Sequence, residues 1–411
     1  MNDFSENWRK LRLRAGKKAE LLGNAWPTKK EEAYHYASLS SLDKKAWAEP
    51  VYPEEESIAE KIFLLDLPEV KNRMVFANGY FISSLSFLED GGDWKVKKEE
   101  RVSEKSFSFE ERLNDVFRKE QLLLKVSSRV DLSELQLLFL NEGKSVSFHP
   151  SVVLQTIEGQ KLSVCEVHVG DGEFLENALV EVKCEKSSTL FWTKAQLNAS
   201  EAASLSLTDF SLEKSARVSF TLLAKGSAFA REVVRAELKA ENAFLETNGL
   251  QLSGKNQLVD FNVSIAHEAN HTESQQSLKT LVSGNGHAIF QGKSAISKRG
   301  NKSSAHQKSD ALLLSDKGIF DVKPELEIFA DDVKCSHGAT VGALDDQDIF
   351  YIRSRGVSLG GAKRLLLFSF VNEVLDRISD EKIRFWAQAH VFPFLGGGDE
   401  EIFGTEEKRD L

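Results

Sequence analysis

Two residues with metal-binding side chains lie close together near position 335. Cys335 and His337 are separated by a single serine. In a β-strand, residues two apart project from the same face, about 6–7 Å from each other. A thiolate beside an imidazole is a suitable ligand pair for iron or zinc. The alternative is a small buried cysteine beside a hydrogen-bonded histidine with no metal, and the spacing alone leaves both open.

The alternation of side chains predicts which neighbours share that face. Upstream of the pair, alternate positions form an apolar row that is expected to be buried: Leu326, Ile328 and Ala330. If no bulge intervenes, the opposite row points outward and contains Glu325, Glu327, Asp331, Cys335 and His337. This expectation places carboxylates beside the candidate ligand pair.

Two short motifs suggest other chemistry. His267-Glu268-Ala269-Asn270-His271 matches the zinc-protease pattern H-E-x-x-H, which needs a helix so that both imidazoles share a face. The motif instead follows an alternating segment, 260–265, so a zinc metalloprotease or other enzyme is kept only as an alternative function. Gly-Lys-Ser tripeptides at 143–145 and 292–294 lack the earlier glycine of a P-loop, and they predict turns without a bound nucleotide.

The elements that position these residues are predominantly strands. From about position 76, short apolar runs with period-two alternation are separated by turn residues over some 200 residues. Residues 151–323 contain no proline, the residue that sheet interiors exclude. A large sandwich, a barrel or propeller, or a solenoid of stacked strands would fit. At roughly 20–25 residues per turn, the proline-free stretch would supply about eight solenoid turns.

Helical patterns flank this β body. An amphipathic helix with a basic face is predicted at 5–22, and irregular structure at 40–75. Near the C-terminus, a helical stripe contains Leu367, Val371, Val374 and Ile378, and Ser379 is predicted to cap a second helix. The predicted regions are an N-terminal helical region and linker (1–75), a β core (76–357), a C-terminal helical region (358–395) and an acidic tail expected to be disordered (396–411).

Composition excludes several classes of function. The 411 residues carry a net charge of −10, so the chain lacks the electrostatic footprint of a nucleic-acid-binding protein and would be repelled by an anionic membrane. We expect no membrane span, since no run of ~18 apolar residues occurs. The first residues do not resemble a secretory signal, and three scattered cysteines suit a reducing compartment. A cytoplasmic location is therefore expected.

The segment from Pro324 to Gly342 resembles the signature of the SufB/SufD family of the SUF iron–sulfur cluster assembly system. Its Cys-Ser-His-Gly sequence is similar to the SufD branch of that family. The similarity continues through 350–357 and 370–375 and is dense from about 255 to 378. The resemblance implies a right-handed parallel β-helix flanked by N-terminal and C-terminal α-helical regions, and it places His267 in a strand.

The same resemblance implies a non-catalytic scaffold subunit with two partners. Such a subunit pairs with SufB through the end of the β-helix, near 325–357, and binds the ATPase SufC through the C-terminal helices, about 361–395. His337, with Cys335 beside it, is then the candidate ligand of a transient iron–sulfur cluster, or of iron, shared with SufB.

The number of cysteines also favours a shared site. An iron–sulfur cluster ordinarily takes four protein ligands, mostly thiolates, whereas Cys165, Cys184 and Cys335 lie 19 and 151 positions apart. The first two are expected to be structural, so a partner must supply the remaining ligands. Three alternatives stay open: a carbohydrate-active or proteolytic enzyme, a homodimeric solenoid without metal, and a homodimer of this chain when SufB is absent.

Overall fold

The computed structural model describes residues 5–65, 67–88, 94–99, 108–126 and 133–396. Within these residues the chain forms a parallel β-solenoid of about seven turns with helices toward both ends, which confirms the predicted fold class. The predicted acidic tail lies outside the described residues apart from Gly396, the last residue of the final helix.

The strands are β1 (Arg73–Ala77), β2 (Tyr80–Phe81), β3 (Trp94–Glu99), β4 (Gln121–Val126), β5 (Ser133–Phe148), β6 (Ser151–Gln155), β7 (Lys161–Cys184), β8 (Thr189–Gln196), β9 (Ala203–Leu212), β10 (Arg217–Ala224), β11 (Phe229–Leu238), β12 (Phe244–Ser253), β13 (Leu258–His267), β14 (Glu273–Val282), β15 (His287–Ile296), β16 (Ser304–Leu313), β17 (Ile319–Ile328) and β18 (Lys334–Gly342). The helices are α1 (Glu6–Ala15), α2 (Glu55–Leu64), α3 (Phe109–Phe117), α4 (Asp346–Arg353), α5 (Leu359–Leu375) and α6 (Glu381–Gly396). Short 3₁₀ segments lie at Gly16–Leu22, Glu32–Tyr34, Leu39–Lys44 and Ser83–Leu85.

Each solenoid turn contributes one strand to each of two parallel sheets. From β8 onward every strand pairs with the next strand but one, so β8, β10, β12, β14, β16 and β18 form the even sheet, and β9, β11, β13, β15 and β17 form the odd sheet. The long strand β7 runs along both sheets: its first part pairs with β8 and its second part with β9. The space between the two sheets is the lumen.

The solenoid turns are longer than the predicted 20–25 residues. Stacked residues lie between 26 positions apart, as for Ala203 and Phe229, and 32 positions apart, as for His287 and Ile319. Each turn needs this length because it holds two strands of about ten residues and two corners. The prediction of about eight turns within the proline-free stretch was therefore too high, since the whole solenoid has about seven.

One corner repeats the same backbone conformation in successive turns. A residue with positive φ stands two positions before each of the strands β7, β8, β10, β12, β14 and β16: Gly159, Ser187, Ser215, Asn242, His271 and Lys302. The backbone N–H of Ser187 donates to the carbonyl of Lys214 at 2.9 Å, and that of His271 to Asn301 at 3.1 Å. Left-handed backbone is uncommon outside glycine. Here the hydrogen bond to the next turn stabilises it.

The three largest apolar cores among the described residues surround and fill the solenoid. The lumen is filled by side chains of both sheets, including Trp192, Phe210, Phe220, Leu245, Phe261 and Phe290. The outer face of the even sheet packs against α5 and α6 and includes Ala195, Leu223, Leu250, Leu252 and Leu281. The outer face of the odd sheet is covered by α3 and the N-terminal segments, through Trp8, Trp26, Phe109 and Leu113. The predicted stripe Leu367, Val371, Val374 and Ile378 is confirmed as buried.

Three helical predictions were wrong in detail. The helix predicted at 5–22 is α-helical only to Ala15, because Gly16 takes a φ of 56° and a 3₁₀ segment follows. Helix α2 lies within the segment predicted as irregular, where Glu55 and Glu56 in the first turn favour a helix start. The cap of α6 is Asp380 and not Ser379, since its Oδ1 accepts the N–H groups of Lys382 and Ile383.

A buried network of charges interrupts the apolar lumen near the middle of the solenoid. His168 has Nε2 at 2.6 Å from Oε1 of Glu166 and Nδ1 at 2.9 Å from Oε1 of Glu176. The Lys194 ammonium lies 3.3 Å from Glu166 and 2.9 Å from Glu232. Burial alone would lower the pKa of His168, but the carboxylates of Glu176 and Glu166 outweigh it and raise that pKa to about 9. Every charge in the network therefore has an opposite charge beside it.

We expect the substitution Lys194→Met to lower the free energy of unfolding by about 3–5 kcal/mol, because two buried carboxylates lose their cation. Urea denaturation followed by circular dichroism measures this change. Lys186→Met is the matched control, since Lys186 and Glu158 form an exposed pair that contributes less than about 1 kcal/mol. Equal losses in the two variants would contradict the proposed role of the network in stability.

Candidate functional site

The solenoid ends at β17 and β18, which have no further strand stacked on them among the described residues. β17 pairs with β15 and β18 with β16, and the opposite edge of each is left open. Pro324 lies in β17, where a missing N–H is tolerated because edge strands are the usual place for proline in a sheet. The open edges present backbone donors and acceptors that a strand of another chain can bind.

Cys335 and His337 lie in β18 on the row that faces the lumen. Cys335 stacks directly on Ala305 of β16, and His337 stacks on Gln307. Gln307 belongs to the inner row because its side chain reaches across the lumen to the backbone of β17. The two candidate ligands therefore share one face, as their spacing predicts, and that face is the mouth of the lumen.

The prediction that Cys335 and His337 point outward together with Glu325 and Glu327 is wrong: the two glutamates lie on the outer row, as expected, whereas Cys335 and His337 lie on the lumen row. A corner at 329–333 separates β17 from β18, so the alternation is not carried from one strand to the other. In β17 the row that meets the lumen core contains Phe320 and Val322. The carboxylates lie on the opposite row: Glu327 accepts from Lys293 at 2.7 Å, and Glu325 pairs with Lys323 at 3.2 Å. Asp331 lies in the corner itself and is exposed.

Cys335 is the accessible thiol of the chain. Cys165 and Cys184 are fully buried, and burial raises the pKa of each to about 12, which keeps both thiols protonated and unreactive. Cys335 is only partly buried; burial raises its pKa, and a hydrogen bond from the Ala305 backbone acts in the opposite direction. Its thiol becomes a strong ligand once a metal displaces the proton.

The H-E-x-x-H motif does not form a zinc site. His267 is the last residue of β13 and is fully buried, with its ring nitrogens 2.9 Å from the hydroxyls of Thr272 and Ser274. His271 stands at the repeated corner with a φ of 57° and is exposed. The two imidazoles thus occupy different elements, which confirms the prediction of a strand for His267.

The second Gly-Lys-Ser tripeptide lies inside β15 and not in a turn. A side chain on Gly292 would come within 2.9 Å of Oε1 of Gln276, so the glycine makes room for an amide in the lumen. Ser294 accepts hydrogen bonds from Gln276 and Gln307. The tripeptide is therefore part of the solenoid packing.

In the part of the chain that the structure describes, no cluster of three or more histidine, cysteine or acidic side chains is arranged to hold a metal ion. The pair at the lumen mouth offers two ligands at most. Such a pair can complete a metal or cluster site only together with ligands from elsewhere.

Sequence reasoning missed the polar row beneath this pair. Thr247, Gln276 and Gln307 stack in register below His337 on the inner face of the even sheet. Their separations of 29, 31 and 30 positions are the signal that could have revealed them. That signal becomes visible only when the turn length is known, since the four residues have three different side-chain types.

Comparison with known proteins identifies the family. The family model described as "SUF system FeS cluster assembly, SufBD core domain" matches residues 139–370, which include most of the solenoid and the terminal strand with Cys335 and His337. The chain belongs to the SufBD family. It is an iron–sulfur cluster assembly protein of that family, which confirms the family predicted from the signature segment.

Three relatives match over most of this SufBD family chain. It is 27% identical to the iron–sulfur cluster assembly protein SufD of Escherichia coli over 402 residues, which cover 92% of each chain. It is 25% identical to the chloroplastic protein ABCI7 of Arabidopsis thaliana, over 92% of this chain and 85% of that protein. A SufBD family iron–sulfur cluster assembly protein of Synechocystis is 24% identical, over 88% and 86% of the two chains.

None of the helices among the described residues combines the length and the apolar character that crossing a membrane would require.

We expect a thiol reagent to modify one cysteine in the folded chain and three after denaturation, because two thiols are fully buried. Intact-protein mass spectrometry after timed exposure to iodoacetamide counts the modified residues. The variant Cys335→Ser is the control and should show no rapid modification while folded. Rapid modification of Cys165 or Cys184 in the folded protein would contradict the assignment of Cys335 as the accessible thiol.

Proposed function

We propose that this SufBD family member is a non-catalytic scaffold subunit that contributes Cys335 and His337 to a transient iron–sulfur cluster. The observation that carries the proposal is the placement of the accessible thiol beside an imidazole on the terminal strand. Two ligands are too few for a cluster that takes four. The remaining ligands would come from a partner chain seated on this end, and the cluster is a cargo that is built there and released.

SufB is the proposed partner at this end, through residues near 325–357. The open edges of β17 and β18 offer main-chain pairing, and the same region exposes large apolar side chains: Phe329 is 62%, Val341 47% and Phe350 75% exposed. A concentration of exposed apolar side chains on a folded chain is typical of a protein–protein interface. A homodimer of this chain in the absence of SufB would use the same edges.

SufC is the proposed partner of the C-terminal helices, within about 361–395. The inner faces of α5 and α6 pack on the even sheet, whereas Leu365 and Phe385 are 51% and 61% exposed. Because the Gly-Lys-Ser tripeptides lie in strands β5 and β15, the chain itself is proposed to bind no nucleotide. SufC would supply the ATP hydrolysis.

The proposed location is the cytoplasm, which suits three free cysteines in the reduced state. The net charge of −10 also argues against nucleic acid and anionic membranes as partners. The alternative of a zinc metalloprotease loses its support because His267 and His271 lie on different elements and do not share a helix face.

The variant His337→Ala, reconstituted with SufB and SufC, should yield a small fraction of the visible cluster absorbance of the wild-type complex, because a ligand is lost. His306→Ala is the matched control: His306 lies one turn below on the outer row, 2.8 Å from the Ser336 hydroxyl. The control should retain the absorbance. Undiminished absorbance with His337→Ala would exclude the proposed ligand role.

The variant Phe385→Ala should reduce the affinity for SufC about tenfold or more, as expected when a central aromatic contact is removed. Isothermal titration of purified SufC into the full chain measures the affinity. Phe63→Ala is the control, since Phe63 is 86% exposed on α2 and lies outside the proposed surface. Equal affinities of wild type and Phe385→Ala would remove Phe385 from the interface.

A further inference from the structure

The lumen changes from apolar to polar toward the end that carries His337. In-register stacking places six inner-row residues above one another: Trp192, Phe220, Thr247, Gln276, Gln307 and His337. The two aromatic residues belong to the lumen core. The next three are polar and at most 4% exposed. Burying a polar group is unfavourable unless it is hydrogen-bonded, so the partners of these side chains indicate what the row does.

The amide of Gln307 is held in one orientation by two contacts. Its Nε2 donates to the hydroxyl of Ser294 at 3.0 Å and to the backbone carbonyl of Glu325 at 3.2 Å. A carbonyl oxygen can only accept, so the NH₂ group must face Glu325 and Oε1 must point elsewhere. That oxygen is buried and has no hydrogen-bond partner among the described residues. Gln307, which stacks directly beneath His337 in the strand register, therefore holds a buried acceptor that has no partner among the described residues.

His337 can supply the missing donor. Its side chain is exposed, and no hydrogen bond to its ring is formed within the described part of the chain. Parallel stacking places it about 4.8 Å above Gln307 on the same face. At this spacing, a rotamer of His337 that points into the lumen would bring a ring N–H toward the amide of Gln307.

A hydrogen bond from the His337 ring to the Gln307 oxygen would favour one tautomer of the neutral imidazole. A neutral imidazole has a single N–H, so committing it to Gln307 leaves the lone pair of the other nitrogen available to a metal. Ligating histidines commonly use the second ring nitrogen in this way, which fixes the tautomer and the ring orientation. An amide oxygen accepts the hydrogen bond without taking the proton.

We propose that Gln307 is a positioning residue for His337: its Oε1 accepts the imidazole N–H and leaves the other ring nitrogen directed out of the lumen mouth. The inference deepens the proposed function and rests on it for the metal, whereas the hydrogen bond itself can be tested without any metal. Gln307 would act through His337 and need not touch the cluster.

Nitrogen-15 NMR of the full chain labelled at histidine tests the hydrogen bond. The His337 signals are assigned by their loss in His337→Ala. One tautomer should dominate in the wild type, and Gln307→Met should populate both. Gln276→Met is the matched control, since the Gln276 amide also donates to Ser294 and has an unpaired Oε1 one turn deeper. The control should keep the wild-type tautomer. A mixture of tautomers in the wild type would overturn the proposal even if Gln307→Met failed to fold.

Binding of Co²⁺ to the full chain tests the consequence for ligation. The thiolate-to-cobalt absorbance reports on Cys335, because the other two thiols are buried. The affinity should fall about 10–100-fold in Gln307→Met, as for other residues that orient a ligating histidine, and remain unchanged in Gln276→Met. Equal losses in both glutamine variants would indicate general loosening and overturn the proposal. If His337→Ala does not weaken cobalt binding, the proposed ligand role of His337 fails. If His337→Ala weakens cobalt binding but Gln307→Met does not, only the positioning role of Gln307 fails.

Discussion

The backbone hydrogen bonds between successive turns are the constraint on which the rest of the structure depends. Each strand in the middle of a sheet donates and accepts on both sides, and the register continues without a slip from β8 to the last strands. A side chain is thereby assigned to the lumen or to an outer face by its position in the turn. Its closest neighbours are residues about 30 positions away.

Buried polar side chains in the lumen differ between the middle of the solenoid and its open end. In the middle of the lumen, Lys194 and His168 are surrounded by carboxylates, and each charge has a partner. Toward the open end, amides occupy the lumen row, and Gln276 and Gln307 each have an Oε1 without a partner among the described residues. A closed network fixes the register of a core. Gln307 lies on β16, directly beneath the terminal strand β18.

Local patterns in the sequence were sufficient to predict strands and to place Cys335 and His337 on one face, whereas the choice of a solenoid over a sandwich or a barrel came from the resemblance to the SufB/SufD family. Period-two alternation and the missing prolines indicate strands, and the Cys-Ser-His spacing places both side chains on one face. The length of the turn could not be obtained in this way. The corner that ends each turn requires a residue with positive φ, and residues as different as Ser187, Asn242 and His271 adopt this conformation. No single residue type therefore marks the corner in the sequence. Without the turn length, neither the polar row beneath His337 nor the change of face at 329–333 could be placed.

The position of β18 at the end of the stack has a consequence for the proposed release of a cluster. In a repetitive fold, stability is approximately a sum of interactions between neighbouring turns. The final turn has one such neighbour, so it frays at a lower free energy than a central turn. Local opening of this turn can therefore move Cys335 and His337 away from the rest of the solenoid and back, while the turns beneath stay folded. The proposed scaffold role requires ligands that can let go of a cluster, and a position at the end of the stack would give Cys335 and His337 this freedom without a hinge.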